Sequence, residues 1–230
     1  MPTENWLNII RTKNVFLRHS LLEGLIAYYS FEDLLVDSSG NGNTLTNTNG
    51  VTQGAGVIGN AANFVAASSQ TLNLTDRPSL DFTASGFSVA CWAKVTGTSN
   101  RAFVQKGPSN NPAAYEWRLA LNGGSLQMSV SDGTAAGAGT TAPTVGMWGF
   151  CFGSWDAGTG EILASLNAGT PATATKATIL NLTTDMLIGG FNLMDGLIDE
   201  VGIWNRVLSP GNIADLYNLG NGRTYNFPGM

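Results

Sequence analysis

The stretch Gly196-Leu-Ile-Asp-Glu-Val-Gly-Ile-Trp-Asn-Arg-Val-Leu-Ser-Pro-Gly-Asn-Ile213 changes its hydrophobic period midway and places two carboxylates where a strand should be apolar. Leu197, Asp199, Val201 and Ile203 alternate with Ile198, Glu200, Gly202 and Trp204, which reads as a strand with two buried sides. Asp199 then falls among Leu197, Val201 and Ile203, and a carboxylate there is costly unless it is paired, hydrogen-bonded or bound to a cation. It needs a partner. Beyond Leu208, Ser209-Pro210 supplies an N-cap and a proline at the first helical position, and Ile213, Leu216 and Tyr217 follow at helical spacing before Gly220. The strand runs directly into one short helix.

Working outward, 230 residues suffice to bury a sizeable core, and one large domain accounts for them. Charged residues make up 12% of the chain, against roughly a quarter in an average globular protein. Twenty-nine glycines, with many Thr, Ser, Asn and Ala residues, suit short strands joined by tight turns. The net charge is −5, and only eight of the eleven Lys and Arg residues lie past residue 22, widely scattered. That excludes nucleic acid as a partner of the main body.

Residues 1 to 22 differ from the rest. They hold Arg11, Lys13 and Arg18 and the only histidine, His19, while Trp6, Leu7, Ile9, Ile10, Val15, Phe16 and Leu17 show no strand alternation. We expect an arm that docks onto other chains. Basic residues follow the first apolar ones, the reverse of a secretory signal, and no run is apolar enough to span a membrane. Cys91 and Cys151 sit in apolar strand patterns and read either as buried thiols or as a bridge.

The domain is expected over residues 23–220, with a tail at 221–230. Its first strand, Gly24-Leu-Ile-Ala-Tyr-Tyr-Ser-Phe31, leads into a loop ending Asp37-Ser-Ser-Gly-Asn-Gly-Asn43. Gly and Asn accept positive φ and can turn oxygens inward, so Asp37, Gly40, Asn41 and Asn43 read either as an Asx turn or as ligands of a hard cation wanting about six to eight oxygens. Strands follow at 61–65, 71–74, 87–95, 101–106, 115–121, 125–131, 148–156, 161–167 and 186–190, with turns at 107–112, 122–124 and 157–160. Many short strands and one helix imply an all-β, antiparallel two-sheet jelly-roll β-sandwich.

The order of motifs carries a resemblance. Gly24-Leu-Ile-Ala-Tyr-Tyr-Ser-Phe, Asp37-Ser-Ser-Gly-Asn-Gly-Asn, Phe87-Ser-Val-Ala-Cys-Trp-Ala-Lys, Val130-Ser-Asp-Gly, Trp148-Gly-Phe-Cys-Phe-Gly-Ser-Trp-Asp and Gly196-Leu-Ile-Asp-Glu-Val-Gly-Ile-Trp-Asn-Arg-Val-Leu-Ser resemble the laminin-G-like, concanavalin A-like lectin/glucanase family. The resemblance implies a jelly roll that is usually non-catalytic, often binds glycan or protein, and commonly carries a structural calcium. In such domains the ion ties the loop after the first strand to an acidic residue near the last, which here match Asp37 and Asp199. A calcium on Asp37, Gly40, Asn41, Asn43 and Asp199 would give Asp199 its partner. Glu32 stands where relatives often have Asp.

Enzyme readings find little. His19 lies in the arm, so the domain has no histidine for a Ser-His-Asp triad or a zinc site. The paired carboxylates of glycoside hydrolases with this architecture, Glu-x-Asp-x-x-Glu, are absent. Glu116, Asp132, Asp156 and Glu161 read as isolated, solvated carboxylates. Trp92, Trp148 and Trp204 read as core, which leaves Tyr115, Trp117, Trp155 and Tyr225 as aromatics on which a sugar could stack, with Asn110, Asn111 and Asp156 as polar partners. The expected function is a non-catalytic binding protein on the surface of a bacteriophage virion, docked by residues 1–22, homo-oligomeric and displaying a glycan-binding domain. The alternative is a free extracellular lectin.

Overall fold

A computed structural model describes residues 20–190 and 192–224. In chain order the strands are β1 (Leu25–Tyr29), β2 (Thr46–Thr48), β3 (Thr52–Ala55), β4 (Asn60–Phe64), β5 (Thr71–Leu74), β6 (Phe87–Val95), β7 (Arg101–Lys106) and β8 (Trp117–Asn122). They continue with β9 (Ser125–Ser131), β10 (Ala135–Thr141), β11 (Trp148–Trp155), β12 (Glu161–Leu166), β13 (Ala172–Thr175), β14 (Met186–Ile188) and β15 (Gly196–Trp204). One sheet runs β13-β12-β11-β6-β15-β4-β3, with β1 also on β15, and the other runs β10-β9-β8-β7-β14-β5-β2. All pairings are antiparallel. The architecture is the expected two-sheet sandwich.

Alternate residues of the two sheets meet in the main core, where Phe87, Val89, Cys91, Trp117, Leu119, Met128, Ile198, Val201 and Ile203 are buried. A second, smaller core explains the two-sided strands. Tyr28, Ala90, Trp92, Phe150, Phe152 and Trp204 point away from the first core and pack under Leu21, Leu208, Ile213 and Leu216. The cover is a helix, α1 (Pro210–Tyr217), started by Ser209, whose hydroxyl accepts the Asn212 amide at 3.2 Å, and closed by Asn218 in the left-handed conformation. Trp204 Nε1 donates to Leu21 O at 2.7 Å, and Arg206 donates to the carbonyls of Ser20 and Glu23. Ser20 to Leu22 therefore belong to the domain and not to an arm; the rest of the expected arm, and Tyr225, lie outside the described residues.

The opening stretch folds differently from its simple alternation. A bulge between Asp199 and Gly202 adds a residue to β15, with Glu200 at φ +51°. The face switches there. Ile198, Val201 and Ile203 enter the main core, whereas Asp199 stands opposite Trp92 on the other side. The carboxylate is therefore not among Val201 and Ile203. Gly202 is fixed by a close approach, because a Cβ there would enter the Trp204 indole.

Cys91 and Cys151 face each other across β6 and β11 as buried free thiols, and burial pushes the Cys151 thiol up. No helix among the described residues is long and apolar enough to cross a membrane.

Candidate functional site

Of the residues expected to share a calcium, Asp37, Gly40, Asn41 and Asn43 form one hydrogen-bonded loop, and Asp199 is tied to other backbone amides. Asp37 Oδ1 accepts the amides of Tyr28 at 3.0 Å and Ser39 at 2.9 Å, and Oδ2 accepts that of Asn43 at 2.9 Å. Asn41 Nδ2 donates to the carbonyls of Leu25 and Ile26, each at 3.0 Å, and Asn43 Nδ2 to Ile26 O at 2.6 Å. Gly40 supplies the turn, at φ +84°. A guanidinium joins them: Arg77 Nη1 donates to Asn43 Oδ1 at 2.7 Å and to Gly42 O at 3.3 Å.

Asp199 finds its partner elsewhere. Its Oδ2 accepts the Val57 and Ile58 amides at 2.8 and 3.2 Å, and its Oδ1 the Glu200 amide at 2.9 Å. Amide hydrogens crowd both carboxylates at separate places, so this donor set does not fit one calcium shared by Asp37 and Asp199. No group of three His, Cys, Asp or Glu among the described residues is placed to hold a metal. Burial pushes Asp199 up to about 7 despite its three amides, and Glu200 up to about 8, where the Tyr28 hydroxyl is its hydrogen-bond donor. Glu32 binds the Asn60 amide at 2.9 Å.

Three of the expected sugar-stacking aromatics are interior residues. Tyr115 and Trp117 are 0% exposed and Trp155 is 1%, with Trp117 and Trp155 each tilted against Phe87 and Trp155 Nε1 bonded to Lys176 O. Rings buried this fully cannot serve as exposed platforms. Asn111 caps a short 3-10 turn through the Ala113 amide. Asp156 caps the β11–β12 turn through the amides of Gly158 and Thr159. Glu116, read as solvated, is also fully buried, 2.7 Å from Lys106 Nζ.

Asn110 lines a pocket. The pocket, about 60 Å³, lies where β7 and β8 present Ala102, Gln105, Arg118, Ala120 and Asn122, beside Asn100, Asn110 and Asn192. Two waters fill about that volume, so it would take the hydroxyl edge of a ligand rather than a whole ring.

Its chemistry is unfinished. Gln105 Nε2 is used on Gly107 O at 2.5 Å, while Gln105 Oε1, Arg118 Nε and the Tyr115 hydroxyl are buried without a partner. Gln105 and Arg118 are cross-strand neighbours, and the Arg118 guanidinium lies 4.7 Å over the Tyr115 ring. An orphan acceptor and an orphan donor thus sit on facing residues of β7 and β8 and line one pocket, an arrangement costing about 1–3 kcal/mol per group unless something fills it. No sequence signal marked Gln105 or Arg118, since outward polar residues on a half-buried strand look alike.

A family model described as "Concanavalin A-like lectin/glucanases superfamily" matches residues 66–214, well over half of the chain. The chain belongs to that superfamily. No curated protein matches it by sequence. Among solved structures this lectin-like chain is similar to the binding domain of Paraclostridial Mosquitocidal Protein 1 (TM-score 0.72, 16% identity, 89% of this chain and 53% of that one). It is also similar to Domain 4 of AbnA, a GH43 extracellular arabinanase from Geobacillus stearothermophilus, in complex with arabinotriose (0.68, 22%, 83% and 97%). A third likeness is to the binding domain of Botulinum Neurotoxin DC in complex with SialylT (0.68, 13%, 87% and 52%). The lectin-like chain spans about half the length of the two toxin domains, and at these identities the likeness concerns the fold.

Proposed function

We propose that this lectin-like domain is a non-catalytic carbohydrate-binding module whose ligand lies on the outer face of the seven-stranded sheet and feeds its hydroxyls into the Gln105–Arg118 pocket. The observation that carries this reading is the adjacent orphan pair. A hydroxyl is both donor and acceptor, so one sugar hydroxyl can donate to Gln105 Oε1 and accept from Arg118 Nε, while the surrounding Asn amides accommodate its neighbours. The superfamily, and a similar fold solved in complex with arabinotriose, support the same class of ligand. The raised carboxyls Asp199 and Glu200 do not line this pocket, which supports binding without hydrolysis.

A glycan array with intact protein tests the reading, followed by calorimetric titration of the best hit against Gln105→Met and Arg118→Met. Each substitution is expected to weaken binding about tenfold, one lost hydrogen bond at roughly 1.4 kcal/mol; Gln105→Met also gives up the bond to Gly107 O, so binding is read at a temperature where both variants are folded. An array without hits, or variants that bind as well as the parent, would remove the proposal.

For its setting we propose the surface of a particle such as a bacteriophage virion, reached through the segment before Ser20 and shared with other copies of the chain. The anchoring of Ser20 to Glu23 against Arg206 and Trp204 supports this, because it holds that end away from the sheet-face pocket. Deleting residues 1–19 and keeping Leu21 is expected to abolish incorporation into particles while glycan binding persists. The opposite pattern would favour a free lectin.

A further inference from the structure

The corner where calcium was expected holds a second cavity. About 340 Å³ in volume, it is lined by Gly24 to Ile26, Asn41, Asn43, Arg77, Ser79 and Asn205, and this lies inside the range of roughly 300–1,000 Å³ usual for ligand sites. The lining carries one formal charge, that of Arg77.

Arg77 Nη1 performs the task a cation would perform, gathering Gly42 O and Asn43 Oδ1, while Tyr29 OH holds Asn43 O at 2.7 Å. The Asp37 carboxylate behind it is turned onto three backbone amide hydrogens and does not line the cleft. Among the described residues the Arg77 Nε and Nη2 donors have no hydrogen-bond acceptor and the side chain has no ion pair. A planar guanidinium held at one end, with donors left over and Asn and Ser side chains around it, matches the two-oxygen edge of a carboxylate or a sulfate.

We propose that Arg77 replaces the divalent cation at this corner and that the cleft it lines is a metal-independent site for an anionic group, a carboxylate or sulfate ester carried on a glycan. This site is separate from the sheet-face pocket, and either can fail without the other.

The test is amide NMR of the intact chain, freed of metal by chelator and titrated at constant ionic strength with sodium sulfate, sodium glucuronate and, as neutral control, glucose. Saturable shifts at Asn41, Asn43 and Ser79 are expected with sulfate, glucuronate or both. The two salts distinguish which anion is preferred. Glucose should leave these amides unmoved, Arg77→Gln should cut the affinity at least tenfold, and added calcium should change neither binding nor Tm. No saturable shift with either anion would overturn the assignment, as would equal shifts with glucose, a requirement for calcium, or undiminished binding by Arg77→Gln. Should Arg77→Gln fail to fold, Arg77→Lys is read instead, since it keeps the charge and loses the fork. Weakened anion binding then supports the site and unchanged binding overturns it.

Discussion

Lys106→Met is expected to cost about 3–5 kcal/mol, the penalty of leaving the buried Glu116 carboxylate and the half-buried Asp76 and Asp81 without their counter-ion, and so to consume much of a domain stability of about 5–15 kcal/mol. The ammonium is fully buried, 2.7 Å from Asp76 Oδ1, 2.7 Å from Glu116 Oε1 and 3.3 Å from Asp81 Oδ1, and donates to Leu182 O at 2.9 Å. One nitrogen thus fastens the end of β7 to three other segments. Burial already pushes the Glu116 carboxyl up with the lysine present, so removing the charge leaves Glu116 to take up a proton or the site to open. Urea unfolding of the variant measures the effect, and a loss under about 1 kcal/mol would refute it. Lys106→Met combined with Glu116→Leu should recover part of the loss, because an apolar pair of similar volume often matches a buried ion pair.

The second large effect concerns pH. Glu200 is raised from 4.5 to about 8 chiefly by burial, opposed by the Tyr28 hydroxyl and reinforced by the charges of Asp199 and Glu32. A carboxyl whose folded pKa is raised binds its proton more tightly folded than unfolded, so its contribution to stability is complete below about pH 4.5 and is lost as pH rises through about 8. The slope approaches about 1.4 kcal/mol per pH unit within that window. Asp199, raised to about 7, adds to the same slope in its lower part. Glu200→Gln keeps the shape and removes the titration, so its unfolding free energy should fall less steeply between pH 5 and 8 and exceed the parent's at the alkaline end. Parallel pH profiles for the two proteins would count against a protonated Glu200.

The sandwich was legible where strands bury a face. β6, β8, β9 and β11 alternate plainly and were read from sequence to within a few residues, as was the Ser209-Pro210 helix start. The four strands not read were β2, β3, β10 and β13, the edge strands of the two sheets. Made of Thr, Ala, Gly, Asn and Gln, they bury little and have no apolar rhythm to betray them.

The bulge at Glu200 was hidden for a different reason. One inserted residue reverses the faces of everything after it, and nothing in Asp-Glu-Val announces it, so simple alternation puts Asp199 on the wrong side. Tyr115 and Trp117 are buried although residue type does not tell an aromatic at a strand end from one at a rim. The sheet-face pocket depends on which side chains lack partners, and that is a property of packing.

The covered back of the eight-stranded sheet has a consequence for multivalent display. On the proposed reading, with α1, Leu21 and Leu22 closing that face, copies held by whatever precedes Ser20 would all turn the sheet-face pocket the same way. The standoff is roughly two packed layers of about 10 Å each. A pocket that grips only the hydroxyl edge of a sugar binds weakly alone, but on a regular lattice each captured residue raises the local concentration for its neighbours, and avidity replaces affinity. The spacing of copies, more than the depth of any one pocket, would then decide which glycan-coated surfaces are held.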